Sequence, residues 1–211
     1  MFVSVTALAA MLGSCARHDH AVSSRDDVDS LAQGWAYAYY QLPDAQKDVA
    51  LIALQGRARE LAHRGKPRAD ALVWEAIITA SRVPYEEVGE GDLAWRHARE
   101  LLLSAEQLDP HAMDGLVYAS LGRLYDEVPG WPLSFGNKKT ARTYLERALQ
   151  IDPHSIDANF YYGALLAEQG DDRHARSYLN RALAAPPRAG HADADQGRRD
   201  EISELLAELD D

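Results

Sequence analysis

Three alanine–proline pairs hold one offset along the chain: Ala105 with Pro110, Ala148 with Pro153, and Ala182 with Pro187. The last two pairs lie 34 residues apart. Proline ends a helix because it lacks an amide donor and clashes with the turn before it. Alanine at a fixed distance before each stop lets neighbouring backbones approach closely. A register of this kind confines the chain to a stack of similar helical units, each burying its apolar face on the next.

The register has further parts. Ala98 and Ala105, Ala141 and Ala148, and Ala175 and Ala182 are each one heptad apart, and Gly122 and Gly163 supply a small residue in the helix before. From Met113 to Pro187 these residues resemble tetratricopeptide repeats. The resemblance implies an all-α fold: a right-handed superhelical stack of about four hairpins over 28–211, clearest at 113–187. A capping helix at about 193–209 would follow, with Ile202, Leu205, Leu206 and Leu209 as one apolar stripe. Upstream, the sequence predicts a helix over 44–63 with Val49, Ile52, Ala53, Gly56 and Leu61 on one side. It predicts a further helix over about 113–128. The first hairpin departs from the pattern, because Gln55 stands where later units carry alanine.

The breaks in the register are as informative. Ala105 to Ala148 spans 43 residues and Gly122 to Gly163 spans 41. The excess falls in a Gly-Pro loop that holds Trp131 and Phe135. Insertions of this sort gather on one face of a repeat stack. Two accounts stay open for the two aromatics: they plug an end of the stack, or they line the mouth of a binding groove.

The net charge is -11, so the basic footprint of a nucleic-acid binder is absent. The single cysteine excludes an intrachain disulfide. Its setting carries the information: an apolar run from Phe2 to Leu12 leads into Leu12-Gly13-Ser14-Cys15. This resembles a bacterial lipoprotein signal over residues 1–15, with Cys15 as the lipidated residue and 16–27 as a polar tether. No Lys or Arg precedes the apolar run, a departure from the usual signal. The resemblance implies a periplasm-facing lipoprotein of the cell envelope, in the outer membrane rather than the inner, with the lipid on Cys15 as its membrane contact.

The inner face of a hairpin stack is built from the first helix of each pair. The register puts Ala119, Arg123, Asp126 and Glu127 there in one unit, Phe160, Ala164 and Glu168 in the next, and Trp74, Glu75 and Thr79 upstream. With Trp131 and Phe135, these are the candidate binding residues. The mixture suits a protein partner or peptide, and alternatively a small amphiphilic ligand. The eight histidines are scattered without ligand spacing, so no metal site is expected. No nucleophile elbow or phosphate loop is present, so neither catalysis nor a cofactor is expected. The Pro186-Pro187-Arg188 segment with Asp195, Arg198 and Arg199 reads as an ion-pair network tying the cap to the stack, or else as a site for an anionic ligand.

The aromatic Gly-Pro loop, the Pro-Pro-Arg segment and the lipoprotein-like start together are similar to the periplasmic lipoprotein T component of tripartite ATP-independent periplasmic transporters. That resemblance implies a stack pierced by a pore or groove, beside a substrate-binding protein. Three readings follow: an envelope scaffold for a protein partner, a ligand-binding accessory to such an uptake system, and a soluble cytoplasmic adaptor.

Overall fold

The computed structural model describes residues 27–85 and 90–210. Cys15, the proposed signal and nearly all of the tether lie outside the described residues. The described residues form nine α-helices and no strand. Helix α1 covers 27–36 and runs into a π-helical turn, Tyr37–Gln41. Then follow α2 (Asp44–His63), α3 (Ala69–Ser81), α4 (Gly91–Leu108), α5 (Leu116–Glu127), α6 (Lys138–Ile151), α7 (Ile156–Glu168), α8 (Asp172–Leu183) and α9 (Ala192–Glu208).

Consecutive helices pair. The densest packing is within α3–α4, α5–α6 and α7–α8, and each pair rests on the next. Four hairpins and a terminal helix result. The starts of α6, α7 and α8 are fixed by side-chain caps. Asn137 accepts from the Thr140 amide, Ser155 from Ala158 and Asp171 from His174, which satisfies donors that a helix start leaves open. The Asp109-Pro110 and Asp152-Pro153 pairs end α4 and α6.

The two repeat glycines mark helix crossings. A Cβ on Gly122 would meet Leu145 Cγ at 2.5 Å and the Ala141 carbonyl at 3.2 Å. One on Gly163 would meet Leu179 at 2.9 Å and the Ala175 carbonyl at 3.3 Å. The same glycine–leucine–alanine contact is therefore built twice, one hairpin apart. This is the physical content of the repeat register.

Two local expectations are corrected. Helix α5 begins at Leu116, not Met113. Residues Ala112–Gly115 form a tight turn in which Met113 and Asp114 both have φ of 54° and Gly115 has φ of 87°. The α2 stripe is also different. Leu51, Leu54, Ala58, Leu61 and Ala62 are buried against the neighbouring helices, whereas Val49 and Ile52 are exposed. Of the expected stripe only Leu61 faces the core. Residues 49, 52, 53 and 56 form the outward face of α2 instead.

The stack closes on itself. Helix α9 packs on α7 and α8 and also on the π-turn that ends α1. Gly197 lies flat against the Tyr40 ring, so close that a Cβ there would sit 2.3 Å from two ring carbons. The Tyr40 hydroxyl lies 3.4 Å from a Glu201 carboxylate oxygen, and Gly190 abuts Gln33. The first and last helices of the described residues thus meet, and the inner face becomes the wall of a cavity.

Candidate functional site

Two features stand out from the scaffold: the cavity inside the closed stack and the loop between α5 and α6. The cavity has a volume of about 860 Å³. Its apolar side comes from Trp35 of α1, Trp74 and Ile77 of α3, Leu102 of α4 and Leu124 of α5. Its polar side is organised by α7 and α9. Asp157 and Tyr161 of α7 face Arg188 of the α8–α9 connection and Arg198 of α9.

Every arginine on this wall has a carboxylate partner. Arg198 is buried. Its Nε donates to Asp157 Oδ1 at 2.9 Å, its Nη2 to the Tyr161 hydroxyl at 2.6 Å, and its Nη1 to Glu201. Its guanidinium also lies over the Phe160 and Tyr161 rings, at 4.6 and 4.7 Å. Arg188 donates to Asp157 Oδ2 at 2.9 Å and Asp195 Oδ1 at 2.7 Å. Arg123 donates to Glu127 at 2.7 Å and reaches the Tyr161 hydroxyl at 3.3 Å.

The electrostatics follow from this pairing. Burial pushes the Asp157 carboxyl toward the neutral form, but the Arg198 and Arg188 guanidiniums outweigh it and hold the carboxyl below its ordinary range. Burial raises the Tyr161 and Tyr40 hydroxyls above theirs, against the pull of nearby arginines. The network is therefore a brace between α7 and α9 in which two guanidiniums are held by three carboxylates. Arg188 and Arg198 form the ion-pair arrangement expected of the Pro-Pro-Arg segment, whereas Arg199 joins no ion pair among the described residues and donates to the Ala185 carbonyl at 3.1 Å.

The loop is a braced tip. Its ends are drawn together by a Gly130–Gly136 bridge and by the Gly136 amide, which donates to the Pro129 carbonyl at 2.9 Å. The Asn137 amide donates to the Tyr125 carbonyl at 2.8 Å. Phe135 turns inward, edge-on to Tyr125 at 5.5 Å and under the Arg99 guanidinium at 4.3 Å. The Ser134 hydroxyl donates to Asp92 of α4, and this bond together with Arg96 holds the Asp92 carboxyl below its ordinary range. At the tip Trp131 is 88% exposed and Leu133 77% exposed. Leu93, the residue after Asp92, is 68% exposed.

The structure sorts the sequence candidates into groups. Trp74, Arg123 and Glu127 line the cavity. Asp126 and Glu168 meet at Lys138, whose ammonium pairs with both carboxylates and donates to Glu168 and to the Asp126 main-chain carbonyl. Burial would lower that ammonium, but the two carboxylates hold it above its ordinary value. Phe160 packs under Arg198 against α9. Ala164 is half-buried on α7. Ala119, Glu75 and Thr79 are buried and do not line the cavity. Gln55 of α2 donates to the Thr79 hydroxyl at 2.9 Å, and Glu75 lies 3.5 Å from His63 and 3.9 Å from His97. Among the described residues no group of three or more His, Cys, Asp or Glu is arranged to hold a metal ion. Trp131 and Phe135 part company, one to solvent and one to the interior.

Sequence reasoning passed over Asp157, and Tyr161 looked as much like core as like wall. One signal was present. Asp-Pro-His occurs twice, at 109–111 and 152–154, with an aspartate four positions after each proline: Asp114 and Asp157. Both aspartates line the cavity.

Residues 133–209 match the family model of the tetratricopeptide repeat, a segment from the loop through α9. Such repeats commonly serve as scaffolds for protein partners. None of the curated proteins matches this chain. No helix among the described residues is long and apolar enough to cross a membrane.

Proposed function

We propose that this chain is a lipid-anchored scaffold of the cell envelope that docks a protein partner through the Trp131–Leu133 tip. The observation that carries the reading is that tip. Two large apolar side chains stand almost fully in solvent on a loop braced by Phe135, Ser134 and the Gly130–Gly136 bridge. A pre-ordered tryptophan loses little entropy on binding and is the residue type most enriched at interface hot spots. The match of residues 133–209 to a repeat that commonly binds proteins supports the same class of function. The envelope placement rests on Leu12-Gly13-Ser14-Cys15.

Two measurements test this. Partners captured from detergent-solubilised envelopes by wild type should be lost with Trp131→Ala/Leu133→Ala while thermal stability is unchanged. Retention of every partner by the double variant refutes docking through the tip. Palmitate labelling of wild type but not of Cys15→Ala is expected, and an unlabelled wild type removes the anchor.

A second reading, a ligand-binding accessory to an uptake system, is favoured by one observation, the partly open cavity of about 860 Å³ inside the stack. Transporter membrane subunits among the captured partners would support it.

A further inference from the structure

The outward face of α2 is apolar where it meets solvent. Val49 is 72% exposed and Ile52 48% exposed, and exposed Ala53 and Gly56 complete a stripe at i, i+3, i+4 and i+7. That spacing sets all four on one side of the helix. None of them lines the cavity inside the stack or belongs to the Trp131–Leu133 tip. The fold itself does not call for Gly56. A Cβ there would meet nothing within 4 Å. Glycine inside a helix costs about 0.5–1 kcal/mol relative to alanine. Its missing side chain opens a shallow depression bordered by Arg59, Glu60 and His63, where another helix can come close.

The stripe is complementary to itself. Consider α2 of a second copy turned end for end about a twofold axis between Ile52 and Ala53. Val49 of each chain then enters the notch at Gly56 of the other, Ile52 meets Ile52, and Ala53 meets Ala53. Charge follows the same order. Asp44, Lys47 and Asp48 leave the first half of α2 with one negative charge in excess, and Arg57, Arg59 and Glu60 leave the second half with one positive charge in excess. End-for-end pairing lays each acidic half on a basic one. On one flank of the stripe Arg59, which has no carboxylate partner among the described residues, comes to Asp48 of the other copy. On the other flank Arg57 comes to exposed Gln46. A parallel pair would instead bring Arg57 of one copy against Arg59 of the other.

We propose that α2 pairs antiparallel with α2 of a second copy, joining two chains by their outer faces. A contact of one helix from each copy lies at the small end of protein interfaces, below roughly 1,200 Å² of buried surface. The dimer should therefore be weak, with a dissociation constant on the order of tens of micromolar.

Sedimentation equilibrium of the full chain carrying Cys15→Ser, over about 1–300 μM, tests the pairing. The mass should rise from one chain to two across that range. Val49→Glu/Ile52→Glu should stay monomeric throughout with an unchanged far-UV circular dichroism spectrum, since both positions are exposed. Gln46→Glu gives Arg57 of the other copy a carboxylate and should tighten the dimer by about threefold, an advantage lost in high salt. Arg59→Glu, set against Asp48, should weaken it by about as much. Disulfide formation locates the axis. Ala53→Cys in the same background should oxidise to a covalent dimer, because its two copies flank the axis. Glu60→Cys should not, because its two copies stand about 22 Å apart along the helices. A parent chain that stays monomeric to the top of the range, or a dimer indifferent to Val49→Glu/Ile52→Glu, overturns the proposal. Cross-linking at Glu60→Cys but not at Ala53→Cys overturns the antiparallel arrangement. A monomeric chain whose stripe instead retains a different protein, lost with Val49→Glu/Ile52→Glu, assigns the face to that protein and overturns the second copy.

Discussion

Gly197→Ala probes the closure between the ends of the stack. An alanine Cβ at this position would sit 2.3 Å from Cγ and Cδ1 of Tyr40 and 2.6 Å from Cε1. Ordinary carbon contacts begin near 3.5 Å, so α9 or the Tyr40 ring must retreat by about 1 Å. Tyr40 is held between Trp35, edge-on at 5.8 Å, and Tyr39 at 4.9 Å, so the ring has little room to turn. Overpacking of this kind costs about 1–3 kcal/mol. At roughly 2–4 °C per kcal/mol for a chain of this size, the melting temperature should fall by about 2–12 °C. The matched control is Gly56→Ala on the outward face of α2, where a Cβ meets nothing within 4 Å. There the gain in helix propensity acts alone and should stabilise by about 0.5–1 kcal/mol. Urea unfolding of both variants against wild type gives the sign of each effect. Stabilisation by Gly197→Ala equal to that of Gly56→Ala would mean that α9 does not lie on Tyr40, and the cavity wall that α9 completes would fall with it.

Three further outcomes are expected. Asp157→Asn should destabilise by about 3 kcal/mol at neutral pH, because it uncouples a buried guanidinium. The wild-type Asp157 carboxyl is held below its ordinary range, so its contribution is present above about pH 4 and is lost as pH falls through the folded-state value. Urea midpoints across pH 2–7 should therefore show a shallower acid limb in the variant. Gly122→Ala, which drives a Cβ into Leu145 at 2.5 Å, should cost about 1–3 kcal/mol in the same assay. In the loop, Phe135→Ala should cost about 2 kcal/mol through lost packing on Tyr125 and Arg99, whereas Trp131→Ala should stay within about 0.5 kcal/mol of wild type. Thermal melts of the pair distinguish the anchor from the tip.

What could be read in the sequence was what recurs. Gly122 with Leu145 and Gly163 with Leu179 repeat one packing contact, and repetition leaves a spacing that a single chain displays. The pairing of hairpins and the terminal helix followed from it. Contacts made once leave no such trace. Tyr40 and Gly197 are distant in sequence, and neither residue is unusual locally, so the meeting of α1 with α9 had no signature. The left-handed turn at Met113 and Asp114 was hidden for a different reason, since apolar Met113 extends the α5 pattern backwards and only Asp114-Gly115 marks a turn. Trp131 and Phe135 are chemically alike in sequence. What separates them is Tyr125 and Arg99, which two other helices bring to one side of the loop. The polar wall was half legible: the arginines stood out near a Pro-Pro segment, while Asp157 looked like an ordinary first-turn acid until Arg188 and Arg198 were seen on it.

Joining the first helix to the last changes how the molecule should come apart. An open repeat array frays from its ends, and each unit's stability depends only on its neighbours. Here the terminal helices are one another's neighbours, through Tyr40, Gly197 and Glu201. Among the described residues the array has no free end at which melting can start cheaply. Its hairpins are bound to open together, so hydrogen exchange in α2 and in α8 should report nearly the same opening free energy although one lies early and the other late in the chain.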